Sequence, residues 1–335
     1  MARAARKIAT AAAFGGGGLT ALGVTAYGLL VAEGLLARRA IGQPHGLDGP
    51  PSDGTYGDFP GEPLKLAMLG DSTSVGLGMT DPAQTPGGLL AHGLASVAER
   101  PVRLIVVGKS GAPSSELGDQ VDKALAMETD IAVIFVGAND IITQTPPAVA
   151  VRHLAKAVRR LRDAGVEVVV GTCPDLGTVR PIGQPLRWVA RRWSRQLAAA
   201  QTVAVVDAGG RTVAFADLLG PEFATNPTEM FGPDRFHPSA RGYAQAANAV
   251  LPSVCAALGL WPEPRPARGE ALQPIYLAAA TAAEEPGTEV TATRVDGRAT
   301  GLHGKWATLF RRRLGETFND ARRLTSRLGE TLDDA

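Results

Sequence analysis

"LKLAMLGDSTSVGLGM", residues 64–79, is an apolar run that stops at Gly-Asp-Ser and continues in small residues. Its first half has the near-continuous apolar character of a strand buried on both faces. Its second half has two readings. Gly, Asp and Ser are ordinary turn residues, or Ser72 is a nucleophile held where a strand ends. The remainder of the chain decides between them.

The same beat recurs downstream. "VRLIVV" (102–107), "IAVIFV" (131–136), "VEVVVG" (166–171) and "VAVV" (203–206) are short apolar runs rich in β-branched residues. Longer stretches of helical character separate them. In "AVAVRHLAKAVRRLRDAG" (148–165), Val149, His153, Ala157 and Leu161 repeat on one face, with arginines opposite and Gly165 at the close. Residues 237–260 read as another helix. Strands alternating with helices predict a parallel α/β sheet of five strands over residues 64–260.

Outside that block the composition changes. "MARAARK" is basic, and no charged residue occurs from Ile8 to Val31. Such a stretch can cross a hydrocarbon core of roughly 30 Å. Arg3, Arg6 and Lys7 ahead of it favour a cytoplasmic N-terminus and an extracytoplasmic position for the rest of the chain. Residues 1–39 are therefore expected to be a membrane anchor or, alternatively, a signal peptide cleaved after the small residues Val24 and Ala26, which would make the protein secreted. Residues 40–63 and 261–300, rich in Gly and Pro or without periodicity, read as linkers. In 301–335, Trp306, Phe310, Leu314, Phe318, Ala321, Leu324, Leu328 and Leu332 keep helical spacing and "RLGET" occurs twice. This predicts an amphipathic helix for docking on the domain, self-association or a lipid surface, dispensable for turnover in a chain ending near Leu260.

The 335 residues carry a net charge of +1, which gives no push toward nucleic acid. Two cysteines, Cys173 and Cys255, exclude a disulfide scaffold and are read as buried thiols, with a single Cys173–Cys255 bridge as the alternative in an exported protein. His92 and His153 fall in helical segments and His45 and His303 in flexible ones, and neither HExxH nor a P-loop occurs. No metal and no cofactor is expected. In a parallel sheet, ligands bind beyond the carboxyl ends of the strands, and the residues there are complementary. The first strand runs into "GDS" (70–72), the second into "VGKSGAPSSEL" (107–117), the third into "GAND" (137–140), and "DRFH" (234–237) lies far downstream. A serine hydroxyl needs a base, and a histidine titrates near neutrality. Asp234 can orient His237. The backbone N–H groups of Ser72 and Gly111 and the side-chain amide of Asn139 can receive an oxyanion. Asp71 and Asp140 read as turn or supporting residues.

The order GDS, Gly, GxND, DxxH resembles the SGNH (GDSL-type) hydrolases, a family of serine esterases, lipases and acyltransferases, over roughly residues 64–260. Thr73 stands where the GDSL pattern has leucine. The resemblance implies a flavodoxin-like three-layer α/β/α sandwich. It also implies Ser72 as nucleophile, Asp234 and His237 completing a triad, and Ser72, Gly111 and Asn139 as the oxyanion hole. The expected activity is hydrolysis of a small-molecule or lipid ester, with acyl transfer to an envelope glycan or lipid as the alternative and a non-catalytic binding protein as the third. Phe215, Leu218, Leu219, Phe223, Met230 and Phe231 either line an acyl pocket or pack their loop. Trp188, Trp193 and the arginines of 180–192 either meet anionic substrate or headgroups or form a solvated helix face.

Overall fold

The structure is a computed structural model that describes residues 28–29, 32–37, 39–41, 49–260, 273–284, 288–292, 294–295, 298–299 and 306–311. Most of the expected anchor, residues 1–27, lies outside them. Among the described residues, no helix is long and apolar enough to cross a membrane.

Alternation begins at once. Gly54–Tyr56 (β1) and Leu64–Gly70 (β2) precede helix Pro86–Ala98 (α1), and Val102–Val106 (β3) precedes Leu117–Ala126 (α2). Ile131–Phe135 (β4) is followed by Pro147–Asp163 (α3), and Glu167–Gly171 (β5) by Leu186–Asp207 (α4). Arg211–Val213 (β6), helix Ala240–Ala257 (α5), Gln273–Pro274 (β7) and helix Ile275–Glu284 (α6) follow. Thr288–Ala292 (β8), Arg294–Val295 (β9), Arg298–Ala299 (β10) and Trp306–Arg311 (β11) end the described chain.

Nine of these strands join in the order β1-β3-β2-β4-β5-β6-β8-β11-β7, and β9 and β10 pair separately. The five central strands, β3-β2-β4-β5-β6, are parallel. The chain therefore goes from β2 outward to β3 and then back past β2 to β4, and that reversal opens a crevice at the carboxyl ends of β2 and β4. Period-two alternation divides the core. Leu66, Met68, Val133 and Phe135 face α1 and α5. Ala67, Leu69, Ala132 and Ile134 face α2, α3 and the end of α4. The result is the α/β fold expected, a sheet between two helical layers.

Three expectations are corrected. "VAVV" (203–206) is the end of α4, not a strand. Val205 packs on the sheet side and Val206 against Ile275, Ala278 and Ala282 of α6, so the helix is covered on two sides and its apolar run mimics a buried strand. The fifth parallel strand is β6, "RTV", too short and polar to announce itself. The sheet is also mixed. β1, inside the expected linker 40–63, pairs antiparallel with β3, and β8, inside the expected linker 261–300, pairs antiparallel with β6. Finally, Trp306–Arg311 is a strand, antiparallel to β8, where a helix is expected; residues 312–335 lie outside the described residues.

α6 and β8 thus cover the β6 edge and the outer side of α4, burying Ile275, Ala278, Ala282 and Val290. A chain ending at Leu260 should melt several degrees below the full chain, because Val206 and Ala214 become exposed. Identical melting curves in differential scanning calorimetry would show that this segment stabilises nothing.

Candidate active site

β2 cannot continue beyond Gly70. This residue has φ +124, and a Cβ on it would fall 1.8 Å from the Phe135 carbonyl oxygen of β4. The distorted backbone is held by a side chain from α2. Gln120 Oε1 accepts from the Gly70 N–H at 2.7 Å, and Gln120 Nε2 donates to the Gly70 carbonyl at 3.0 Å. The Asp71 N–H donates to Phe135 O, and Asp71 Oδ1 accepts from the Thr73 N–H at 2.9 Å, closing the turn that projects Ser72.

Far along the chain, Asp234 closes a second turn. Its Oδ1 accepts from the N–H groups of Phe236 and His237, both at 3.0 Å. Its Oδ2 meets His237 Nδ1 at 2.6 Å, and His237 Nε2 lies 3.0 Å from Ser72 Oγ. One hydrogen-bonded chain therefore runs from Asp234 through the imidazole to Ser72. Asp234 does not cap α5, whose N-cap is Ser239, accepting from the Gly242 N–H. Tyr243 of α5 donates its buried hydroxyl to Leu77 O at 2.8 Å, tying the helix behind His237 to the loop carrying Ser72.

The remaining expected residues come from two more strand ends. Gly137, φ +137, turns the chain out of β4 into the short helix Ala138–Ile142. Asn139 Nδ2 donates to Ala112 O at 3.3 Å, which sets Asn139 beside the loop of Gly111, itself at φ +78. Fully buried Asp140 accepts from the N–H of Ser114 at 3.2 Å and from its hydroxyl at 2.6 Å, pinning the two loops together. Ser72, Asn139 and His237 all line one cavity of about 90 Å³. Gly111 is not on its wall, and enters the arrangement through its neighbour Ala112.

Much of that wall is apolar, with Phe135, Phe215, Leu219, Phe223, Phe231 and Phe236 on it beside the polar Asp71, Thr73, Thr172, Asp175 and Thr178. Edge-on ring contacts, Phe135–Phe215 and Phe223–Phe231, fix the rings. Leu218 and Met230 do not reach the cavity. Two positions that sequence reasoning passed over also hold the site. Gln120 is one. Gln201 of α4 is the other, donating to Val136 O and accepting from the Cys173 N–H, which braces the ends of β4 and β5. Neither carries a sequence signal, since a single glutamine in a helix reads as surface.

The two carboxylates nearest Ser72 are shifted in opposite directions. Burial pushes Asp234 upward, but the hydrogen bonds from the His237 side chain and from the Phe236 and His237 N–H groups outweigh it and leave Asp234 below its ordinary value. Burial raises Asp71 to about 6, against the opposing hydrogen bonds from Thr73 and the smaller pull of His237. Among the described residues, no group of three His, Cys, Asp or Glu side chains could hold a metal ion.

Residues 68–245 match the model of the GDSL-like lipase/acylhydrolase family. The chain is 41% identical over 257 residues to the GDSL-like esterase Rv1075c of Mycobacterium tuberculosis, covering 73% of this chain and 81% of that protein. It is 32% identical over 111 residues to an arylesterase of Vibrio mimicus, covering 32% of this chain and 52% of that one. Among solved structures, TesA is similar with a TM-score of 0.47 at 23% identity, over 58% of this chain and 99% of that chain.

Asp71 makes a pH prediction. Its folded-state value lies above the unfolded one, so the unfolded chain releases this proton first. The group's contribution to stability is therefore greatest below about pH 4 and is lost as pH rises to about 6. Relative to the wild type, Asp71→Asn should gain about 2.4 kcal/mol between pH 4 and pH 7 in urea denaturation. A difference independent of pH would remove Asp71 as the source.

Proposed function

The chain belongs to the GDSL-like lipase/acylhydrolase family and is an ester-hydrolysing enzyme, and from that premise we propose that it cleaves carboxylic esters of short acyl chains through an acyl-enzyme on Ser72. The observation that carries the proposal is the Asp234–His237–Ser72 hydrogen-bond chain opening into a phenylalanine-lined cavity.

In this reading His237 Nε2 takes the Ser72 proton as Oγ attacks the ester carbonyl. Asp234 holds Nδ1–H and stabilises the imidazolium that forms, a role suited to a carboxylate kept ionised by its own N–H donors. The carbonyl oxygen, turning to an oxyanion, meets the Ser72 and Gly111 N–H groups and Asn139 Nδ2. Asp140 acts through the Gly111 loop and Asn139, as a positioning residue. His237 then protonates the departing alcohol oxygen, and water, deprotonated by the same imidazole, releases the acid. The acyl chain occupies the phenylalanine wall, where each methylene removed from water contributes about 0.8 kcal/mol. A cavity of about 90 Å³ accepts an acyl group of a few carbons and leaves the alcohol at the mouth.

Ser72→Ala and His237→Ala should each lower kcat on 4-nitrophenyl butyrate by about 10⁴-fold or more, with unchanged melting temperature. Asn139→Ala should cost about 10²–10³-fold, mainly in kcat, since an oxyanion donor acts on the transition state. A folded Ser72→Ala protein that still turns over at the wild-type rate contradicts the proposal. Asp71→Asn offers an internal contrast, because Asp71 closes the turn and transfers no proton.

A further inference from the structure

The chain ahead of β1 does not trail away from the catalytic domain. It touches, in turn, three of the loops around the cavity mouth. Glu33 Oε2 accepts from the Leu186 N–H at 2.7 Å, closing the first turn of α4. The Ala40 carbonyl accepts from the guanidinium of Arg235, the residue after Asp234. A Cβ on Gly49 would fall 1.8 Å from Val75 O, three residues beyond Ser72. Ala37, between the first two contacts, is buried. Glu33 is also the first charged residue after the uncharged stretch Ile8–Val31. Whatever receives that stretch therefore lies within a few residues of the mouth.

The surface at this junction has the composition of a membrane-interface region. Leu29, Leu35 and Leu36 are 50, 55 and 61% exposed, and Trp188, two residues into the helix that Glu33 caps, is 59% exposed. Soluble surfaces seldom place such residues together; an interface that is half apolar and half polar does. The charge is mainly cationic as well, with Glu33 turned to the Leu186 N–H. Asp175 is buried and already met by Arg191 and Arg195. Among the described residues, no carboxylate lies within ion-pair distance of Arg187 or Arg192. Between Trp188, Arg191, Arg192 and Arg195 on α4 and Ala280 and Ala283 on α6 runs a groove of about 440 Å³, cationic on one wall and apolar on the other. A phosphate-bearing lipid headgroup matches both walls. The first turn of α4 follows the carboxyl end of β5, so this patch and Ser72 are at the same end of the sheet.

From these placements we infer that the face bearing the cavity mouth rests on an anionic bilayer, with Trp188, Leu35 and Leu36 seated in the interface and Arg187 and Arg192 on headgroups, so that the ester reaching Ser72 is one whose alcohol part is held in the membrane. The substrate half rests on the esterase reading above; the orientation half does not. The short cavity takes the acyl group while the alcohol stays at the mouth, where the bilayer is.

The test uses the full chain reconstituted in vesicles of phosphatidylcholine, with or without phosphatidylglycerol. Its tryptophans are Trp188, Trp193, Trp261 and Trp306, so the uncharged N-terminal stretch contributes no signal. Lipid brominated near the headgroup should quench the fluorescence, and Trp188→Phe should remove the larger part of that quenching. Turnover is then compared on a butyryl ester of a long-chain alcohol held in the vesicle and on 4-nitrophenyl butyrate in solution. Reversing both charges, Arg187→Glu with Arg192→Glu, should lower the first by about tenfold in phosphatidylglycerol vesicles and leave the second within about twofold. Quenching that Trp188→Phe does not change, in vesicles that retain the chain, overturns the orientation, as does a chain that the vesicles fail to retain. Equal loss on both esters, or on neither, overturns the membrane-held substrate. If wild type cleaves neither ester, the esterase reading fails while the quenching still decides the orientation.

Discussion

At Gly70 two backbones come so close that no side chain fits between them, and the Gln120 amide takes the Gly70 N–H and shares its carbonyl with the Lys109 N–H. The position of Ser72 follows from this. With Gly70 fixed against Phe135 of β4, Asp71 begins a turn at one height above the sheet, and the serine projects over the crevice between β2 and β4. The imidazole that meets it arrives from 165 residues away in sequence, yet the 3.0 Å separation requires both loops to be placed within a few tenths of an ångström. Gln201 repeats the device between β4 and β5, and the Tyr243 hydroxyl bonded to Leu77 fastens α5 to the nucleophile loop. Polar side chains reaching from the helical layers to backbone at strand ends, together with the Asp140–Ser114 bonds between loops, hold the site in place.

Two aspartates near one serine then behave differently because their neighbours differ. Asp234 accepts two N–H groups and the imidazole, and stays a carboxylate. Asp71 is buried under the turn with the Thr73 N–H against it, and holds its proton to about pH 6. Asp234 holds its charge on the side of His237, while Asp71 lies beneath the turn and ionises only above about pH 6. Asn139 and the Gly111 loop, joined through Ala112 and Asp140, occupy the other side.

Most of the sheet was legible because a strand buried on both faces reads as a continuous apolar run. The reading failed where that rule has a second cause. "VAVV" at 203–206 is apolar because α4 is covered on one side by the sheet and on the other by α6, and β6, which does pair with β5, shows only Arg-Thr-Val. Trp306–Arg311 satisfies a helical spacing taken every fourth residue, but its pairing with β8 is a long-range fact that no local pattern records. The residues named for chemistry were legible because each sits just past a strand end or in a short turn motif, and those positions meet in space whenever the sheet is parallel. The glutamine braces were not, since their meaning lies wholly in the strand end they reach. The aromatic loop 215–231 was undecided between pocket and packing, and it does both: Phe215, Leu219, Phe223 and Phe231 face the cavity, while Met230 is buried behind them.

The central claim is that His237 and Asp234 make Ser72, alone among the serines of the chain, a nucleophile at neutral pH. Treating the folded full-length protein with a fluorophosphonate and locating the adduct by peptide mass spectrometry measures that directly. The account predicts one adduct per chain, on the peptide containing Ser72, with labelling slowed by at least about 10²-fold in His237→Ala. An adduct on another residue, or none on Ser72 in a protein that hydrolyses esters, would contradict it.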